Sequence, residues 1–220
     1  MFGQNPKRSS ISGDGNELEI QSIFRTIQGE GFFVGTPSVF IRLGGCNLAC
    51  KFCDTEFENF KVFPLDKVLK EVLKLSGDSI KLIVITGGEP LRQPIELLCT
   101  KLIELGFTIQ IETNGTLYRN LPKEVYIVCS PKAGSSGYSK IREDLLPHIN
   151  AIKFLVSENI QKYNYIPEVG QTEYKIPVFI QPIDQYNELL NKKNTELAVR
   201  LVLETGYRLS LQTHKFIGIE

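Results

Sequence analysis

The chain lacks a surplus of charge: Lys+Arg and Asp+Glu each number 25, so the net charge is zero. No overall field draws it to nucleic acid or to a membrane surface, and the expected partners are small molecules or another protein. It also lacks an apolar run long enough to span a bilayer. The opening residues, MFGQNPKRSSISGDGNELEI, contain no apolar stretch of the secretory type, so a reducing cytoplasm is the expected compartment. Histidine is scarce, and neither His148 nor His214 has a spacing that supports a metal site. Cysteines number five, an odd count that argues against a disulfide framework. In a reducing compartment, clustered cysteines read as metal ligands or catalytic thiols. No linker, internal repeat or low-complexity block divides the 220 residues, so one domain is expected over 1–220. Residues 1–15, polar and rich in Gly and Ser, are expected to form a mobile N-terminal tail.

What is present alternates between two kinds of segment. Short β-branched or aromatic runs predict strands: LEIQSIFRTI, SVFIRLG, IKLIVITG, FTIQIETNG, VYIVCSP, AIKFLVS, VFIQPI and YRLSLQTHK. Between several of them lie helical stripes. One runs Leu65, Val68, Leu69, Val72, Leu73, Leu75; a second runs Ile95, Leu98, Leu102, Ile103, Leu105 and stops at Gly106; a third runs from Leu189 to Leu203 before Gly206. Strand, helix, strand repeated in this way predicts parallel β/α units. The units are too few for an eight-stranded barrel of usual size, so the expected fold is α/β, a partial, open parallel β/α barrel. In such folds ligands sit at the C-terminal strand ends. Five polar clusters fall there: the cysteines after SVFIRL, GGEP after IKLIVIT, ETNG after FTIQI, SPK after VYIVC, and QPID after VFI. All five are expected to line one mouth.

The segment GGCNLACKFCDT carries Cys46, Cys50 and Cys53, and then the pattern stops. Thiolates favour zinc, Cu(I) or iron–sulfur clusters. Structural zinc wants four ligands, and neither Cys99, on an expected helix, nor Cys129, inside an expected strand, is an obvious fourth. Both are read as buried small hydrophobes. A [4Fe–4S] cluster on three cysteines leaves one iron open and reactive. Cys-x3-Cys-x2-Cys with Phe52 before the last cysteine resembles the radical S-adenosylmethionine superfamily, and GGEP at Gly87–Pro90 lies where that superfamily binds the cofactor's methionine. The resemblance implies that the open iron chelates S-adenosylmethionine and that its cleavage gives a 5′-deoxyadenosyl radical, while the protein positions the cofactor and excludes water and oxygen.

The stretch IQGEGFFVGTPSVFIRLGGCNLACKFCDT, with TGGEPLRQ, ETNGT, SPK, QP and LQTHKFIGIE, resembles the 7-carboxy-7-deazaguanine synthase family across nearly the whole chain. That resemblance implies a carbon–nitrogen lyase acting on 6-carboxy-5,6,7,8-tetrahydropterin, a homodimer, and a flavodoxin or ferredoxin as reductant. It implies substrate contacts at Ile27, Gln28, Gly29, Glu30, Arg42, Thr86, His214 and the terminal Glu220. Gln28 can donate and accept, Glu30 can accept from ring N–H groups, Arg42 can fork a carboxylate, and Gly29 lets the backbone come close. S-adenosylmethionine is implied to meet Phe52, Cys53, Asp54, Gly87, Gly88 and Glu89 on one side. On the other it is implied to meet Glu112, Asn114, Ser130, Pro131, Lys132, Gln181 and Asp184. Thr55 is implied to hold Mg²⁺, a hard cation that prefers oxygen and keeps several waters. Bland readings stand beside these: a solvated Glu30, an ion-paired Arg42, a capping Thr55, turn chemistry at Glu112 and Asn114, an exposed Lys132, a frayed tail at His214. The rival functions are a glycyl-radical-activating enzyme, which would not need the set at Gln28, Glu30 and Arg42, and a zinc-binding interaction module.

Overall fold

The computed structural model describes residues 5–134 and 137–219. Strand β1 (Glu17–Ile27) turns through a short 3-10 segment into β2 (Pro37–Leu43), then come β3 (Lys61–Pro64), α1 (Leu65–Ser76), β4 (Leu82–Gly87), α2 (Glu96–Glu104), β5 (Thr108–Thr113) and β6 (Tyr126–Cys129). A small ribbon, β7 (Ala133–Gly134) with β8 (Gly137–Tyr138), precedes β9 (Ile149–Val156), β10 (Val178–Pro182), α3 (Glu188–Thr205), β11 (Arg208–Leu209) and α4 (Thr213–Ile217).

Nine strands form one sheet in the order β11-β10-β9-β6-β5-β4-β2-β1-β3. From β2 to β11 every neighbouring pair is parallel, and the order follows the chain without reversing. A sheet that grows in one direction curls like a barrel wall, whereas a doubly wound sheet reverses its order. The two ends of this sheet do not pair, so the barrel is open, as the sequence predicts. β1 departs from that pattern and runs antiparallel to both β2 and β3. Only residues 28–36 separate β1 from β2, too few for the crossover that a parallel pair needs. β3 lay outside the predicted strands; it is an edge strand of four residues paired to the start of β1.

Side chains alternate between the two faces of each strand. Outward positions are apolar and pack with the helices: Val39, Ile41 and Leu43 on β2, Ile83 and Ile85 on β4, Ile109 and Ile111 on β5, Ile152 and Phe154 on β9. The helices return the matching stripe, with Val68 and Val72 of α1 and Leu98 and Leu102 of α2 fully buried. α3 starts on the Asn187 side chain, which accepts from Leu190 N–H, and stops at Gly206 in the left-handed conformation. The inward positions are layered. Val128, Ala151 and Phe179 form a small apolar floor, against which the hairpin tip lays Phe32 (5.1 Å from Phe179). Above that floor the inward residues turn polar: Arg42, Thr86, Glu112, Lys153 and Gln181.

Two expected elements change. YRLSLQTHK pairs only at Arg208 and Leu209, after which Ser210 turns in to bond Ile180 O and Gln181, and Thr213 N–H bonds Gly29 O. The remaining residues wind into α4 instead of continuing the strand. Residues 5–15, expected to fray, lie along the cysteine loop. Arg8 N–H bonds Cys46 O (2.7 Å), Ile11 N–H bonds Arg92 O (2.7 Å), and Arg92 and Arg119 donate to Ser9 O and Ile11 O. The backbone of this polar segment thus finds partners in two arginines that a polarity count does not take in.

Candidate active site

A cavity of about 650 Å³ opens at the C-terminal strand ends. All five polar clusters reach it. The cysteine loop brings Cys46, Cys50, Phe52, Cys53, Asp54 and Thr55; β4 and its exit bring Thr86, Gly87 and Gly88; β5 brings Glu112 and Asn114. Ser130 and Lys132 follow β6, Gln181 and Asp184 end β10, and the hairpin contributes Ile27, Gln28, Glu30 and Arg42. His214 closes the far side from α4. Glu220 lies outside the described residues. Cys99 and Cys129 are fully buried in α2 and β6, away from the cavity, as expected.

Three residues expected to touch ligands stand elsewhere. Gly29 does not line the cavity: a methyl group there would lie 2.1 Å from His214 Nδ1, so its bareness seats the histidine rather than a ligand. Glu89 is fully buried behind the wall, where it accepts from Leu91 N–H (3.0 Å), Asn114 N–H (2.7 Å) and Thr113 Oγ1 (2.7 Å). Pro131 likewise lies outside the lining.

The glycine motif has a second task here. Gly88 N–H bonds Leu43 O (3.1 Å) and Glu89 N–H bonds Gly45 O (3.0 Å), so the exit of β4 clamps the loop just before Cys46. From the other side Asn114 Nδ2 donates to Asn47 Oδ1 (2.9 Å), and Asn47 Nδ2 donates to Thr116 Oγ1 (2.8 Å). GGEP and ETNG therefore brace the loop that carries the thiols. Burial pushes the Cys46 thiol up to about 12, with Glu89, Cys50 and Cys53 adding repulsion; Cys50 and Cys53 are also raised, first by burial. Soft donors so grouped suit a positively charged iron–sulfur core that would draw them into thiolates. Among the described residues no three His, Cys, Asp or Glu side chains meet closely enough to hold one metal ion. A four-iron cluster binds each cysteine on a different iron, so it does not ask for that convergence.

Also in the lining, Arg42 and Thr86 are register partners on adjacent strands, and the Arg42 guanidinium lies over the Phe24 ring (4.9 Å). Gln28 is buried and its Oε1 accepts from Glu30 N–H (3.1 Å). Glu30 is ion-paired to Lys153, and its other oxygen accepts from Gln212 Nε2 (2.9 Å). Burial alone would raise this carboxyl, but Lys153 and Gln212 bring it down to about 2. Lys132 Nζ donates to Ser130 O (2.7 Å) and Oγ (2.6 Å), and burial lowers its pKa. At the rim Lys215 Nζ bridges Asp54 (3.1 Å) and Asp184 (2.8 Å).

A family model described as the radical SAM superfamily matches residues 40–142. A protein of Rickettsia prowazekii named 7-carboxy-7-deazaguanine synthase is 67% identical over this whole chain and 96% of its own length. One of the same name from Rhodospirillum rubrum is 38% identical, with both chains covered in full. The chain belongs to the 7-carboxy-7-deazaguanine synthase family. The crystal structure of QueE from Escherichia coli superposes with a TM-score of 0.74 at 28% identity, over 89% of this chain and 94% of that one. Members of this radical SAM family use a [4Fe–4S] cluster and S-adenosylmethionine, and the three thiols at the cavity fit the former. The glycyl-radical-activating alternative is not supported, because the likeness to the synthases runs the full length of the chain.

Sequence reasoning missed Lys153, Gln212 and Lys215. Lys153 had a signal: it is the one charged residue in AIKFLVS, a run read as a buried strand, and buried lysines are rare unless paired. Gln212 and Lys215 lie in LQTHKFIGIE, which the resemblance covers, but only His214 and Glu220 of that segment were given a role.

Proposed function

We propose that this chain contracts 6-carboxy-5,6,7,8-tetrahydropterin to 7-carboxy-7-deazaguanine with loss of ammonia, for queuosine or another deazapurine. The observation that carries the reading is the meeting in one cavity of three cysteines with Gln28, Glu30, Arg42 and Thr86. When bound, the cluster and S-adenosylmethionine supply the hydrogen-atom chemistry that starts the rearrangement. The chain's own residues hold the pterin for it. Glu30, ionised beside Lys153, accepts from the ring N–H edge, while Gln28 and His214 complete that edge. Burial lowers the His214 pKa, which keeps its imidazole neutral near pH 7, able both to donate and to accept. Arg42 forks the substrate carboxylate from the side, its plane held on Phe24.

Thr55 and Asp54 present neighbouring oxygens at the cavity, with Thr55 Oγ1 3.4 Å from Asp54 Oδ1. Oxygen donors at that place suit Mg²⁺, which we assign to Thr55 as its protein ligand. Glu112, Asn114, Ser130, Lys132, Gln181 and Asp184 line the same cavity as the thiols and are assigned to S-adenosylmethionine. A flavodoxin or ferredoxin is the proposed electron donor, and a homodimer in the cytoplasm the proposed working form; sedimentation tests the dimer. The deciding experiment is anaerobic. The protein is reconstituted with iron and sulfide, reduced, and given S-adenosylmethionine, Mg²⁺ and the carboxy-tetrahydropterin. Product with the mass of the carboxy-deazaguanine is expected. Slow 5′-deoxyadenosine without that product would defeat the substrate assignment and leave the cofactor assignment standing.

A further inference from the structure

Lys153 projects from β9 into the cavity, almost fully buried, and touches carboxylates from two other elements of the site. Its Nζ is paired to Glu30 of the hairpin and to Glu112 Oε2 of β5 (3.0 Å). The outer oxygens of the two carboxylates are also held: Gln212 Nε2 donates to Glu30 Oε1 (2.9 Å) and Gln110 Nε2 to Glu112 Oε1 (2.6 Å). The sheet itself does not ask for this arrangement. The neighbouring inward residues of β9 are Ala151 and Leu155, and an apolar side chain would fill the position without a buried ion pair, which adds little net stability.

We propose that Lys153 is a positioning residue for the pterin: by bridging Glu30 and Glu112 it keeps the Glu30 carboxylate ionised and fixed as the acceptor for the ring N–H edge. This rests on the assignment of the pterin to Glu30. Two carboxylates facing one cation cannot both stay ionised in a dry site once that cation is removed, and one of them then takes up a proton. On each of them burial is the largest influence and Lys153 the largest one opposing it, so removing the lysine leaves burial to act on Glu30 as well. Burial raises Glu112, with repulsion from Glu30, while Lys153 and Gln212 hold Glu30 low. Of the other charged or titratable groups around the pair, the two lysines are engaged elsewhere and His214 acts on Glu30 itself. Lys132, beyond β6, bonds Ser130; Lys215 of α4 bridges Asp54 and Asp184; His214 of α4 is buried with a lowered pKa.

The test is binding, without turnover, of the oxidised analogue 6-carboxypterin to cluster-reconstituted protein, read by its fluorescence between pH 5 and 8.5. Wild type, Lys153→Met and Lys153→Arg are compared as Kd ratios at each pH, which cancels titration of the analogue. For Lys153→Met the ratio to wild type is expected to be roughly 10- to 100-fold near pH 6.5 and to shrink several-fold by pH 8.5, as Glu30 regains its charge. Lys153→Arg is expected to stay within about tenfold with no pH trend. A Lys153→Met ratio near one, or a loss equal at all pH values, overturns the inference, because a merely structural lysine gives no such trend. Should Lys153→Met fail to fold, His214→Gln, which keeps Lys153 and removes the imidazole's own titration, decides. Its Kd stays level from pH 7 to 5 if Lys153 holds Glu30 ionised, and weakens toward tenfold per pH unit if Glu30 titrates there, which overturns it. Wild type that fails to bind 6-carboxypterin at all would instead overturn the substrate assignment.

Discussion

Gly88→Ala is the substitution whose consequence the structure specifies most fully. A methyl group there would lie 1.9 Å from Gly45 O, 2.3 Å from Gly45 C and 2.9 Å from Cys46 N, all backbone atoms. Real Cβ contacts stop at about 3.0 Å, so the cysteine loop must retreat by about 1.1 Å. It cannot retreat freely, because Gly45 O accepts Glu89 N–H at 3.0 Å and Gly88 N–H is bonded to Leu43 O at 3.1 Å. Overpacking of this kind costs about 1–3 kcal/mol and a lost hydrogen bond about 1 more. At roughly 2–4 °C per kcal/mol, the melting temperature falls by about 5–15 °C. The larger effect is on chemistry. A displacement of about 1 Å at a reacting centre costs on the order of 100-fold, and here it falls on Cys46. The assay is iron and sulfide per chain after anaerobic reconstitution, followed by turnover and a thermal melt. Gly106→Ala is the control: Gly106 has φ +82° with nothing within 4 Å, far from the cavity, so it pays backbone strain of about 1–2 kcal/mol and loads iron normally. Full cluster content in Gly88→Ala, with kcat/KM within about threefold of wild type, would refute the view that the β4 exit sets the position of Cys46.

Other expectations follow from neighbouring parts of the structure. Cys46→Ala, Cys50→Ala and Cys53→Ala should each lose the cluster, whereas Cys99→Ala and Cys129→Ala, at fully buried positions, should keep wild-type iron content. Arg92→Met removes the buried partner of Glu19 and the donor to Ser9 O and Gly44 O. A loss of about 3–5 kcal/mol in urea unfolding is expected, with new proteolytic cleavage within residues 5–15; wild-type protection of that segment would contradict it. The Glu30 carboxyl is held near 2 against an ordinary 4.5, so its share of stability is complete above pH 4.5 and is lost as pH falls from there toward 2. Glu30→Gln should therefore show a shallower acid decline than wild type over that interval. Equal slopes would mean that Glu30 is not held ionised in the folded chain.

The parallel wall of the barrel was legible because each of its longer strands is an apolar run ended by turn residues, and each helix between them carries a clear stripe. The five polar clusters were legible for the same reason: once the strands are placed, their C-terminal ends fall in one row. What escaped was set by loop lengths and by long-range contacts, neither of which shows in the pattern of a single segment. β1 looks like any other strand until the nine residues after it are seen to be too few for a crossover. The closing of the site by α4 depends on Thr213 N–H meeting Gly29 O (3.1 Å), a contact between residues 184 positions apart. Glu89 and Gly29 were assigned to ligands because their motif is, yet one spends its oxygens on backbone N–H groups and the other makes room for His214.

The balanced composition also conceals how charge is placed. A net charge of zero excludes a steering field over the whole surface, but the cavity itself gathers three thiols and the carboxylates of Glu30, Asp54, Glu112 and Asp184 within reach of Lys132, Lys153 and Lys215. Each lysine has a different partner. Lys153 lies between Glu30 and Glu112, Lys215 between Asp54 and Asp184, and Lys132 folds back on Ser130 beside the cysteines. Lys132 is thus a lining cation with no carboxylate in salt-bridge contact among the described residues. In the proposed complex the carboxylate of S-adenosylmethionine would supply that partner. Burial lowers the Lys132 pKa, and an arriving carboxylate in direct contact would raise it again. Binding of S-adenosylmethionine should therefore draw in a proton at pH values near the lowered pKa. Calorimetry in buffers of different ionisation enthalpy measures that uptake, and Lys132→Met should abolish it. Uptake that persists in Lys132→Met would mean that another group, not Lys132, meets the cofactor's carboxylate.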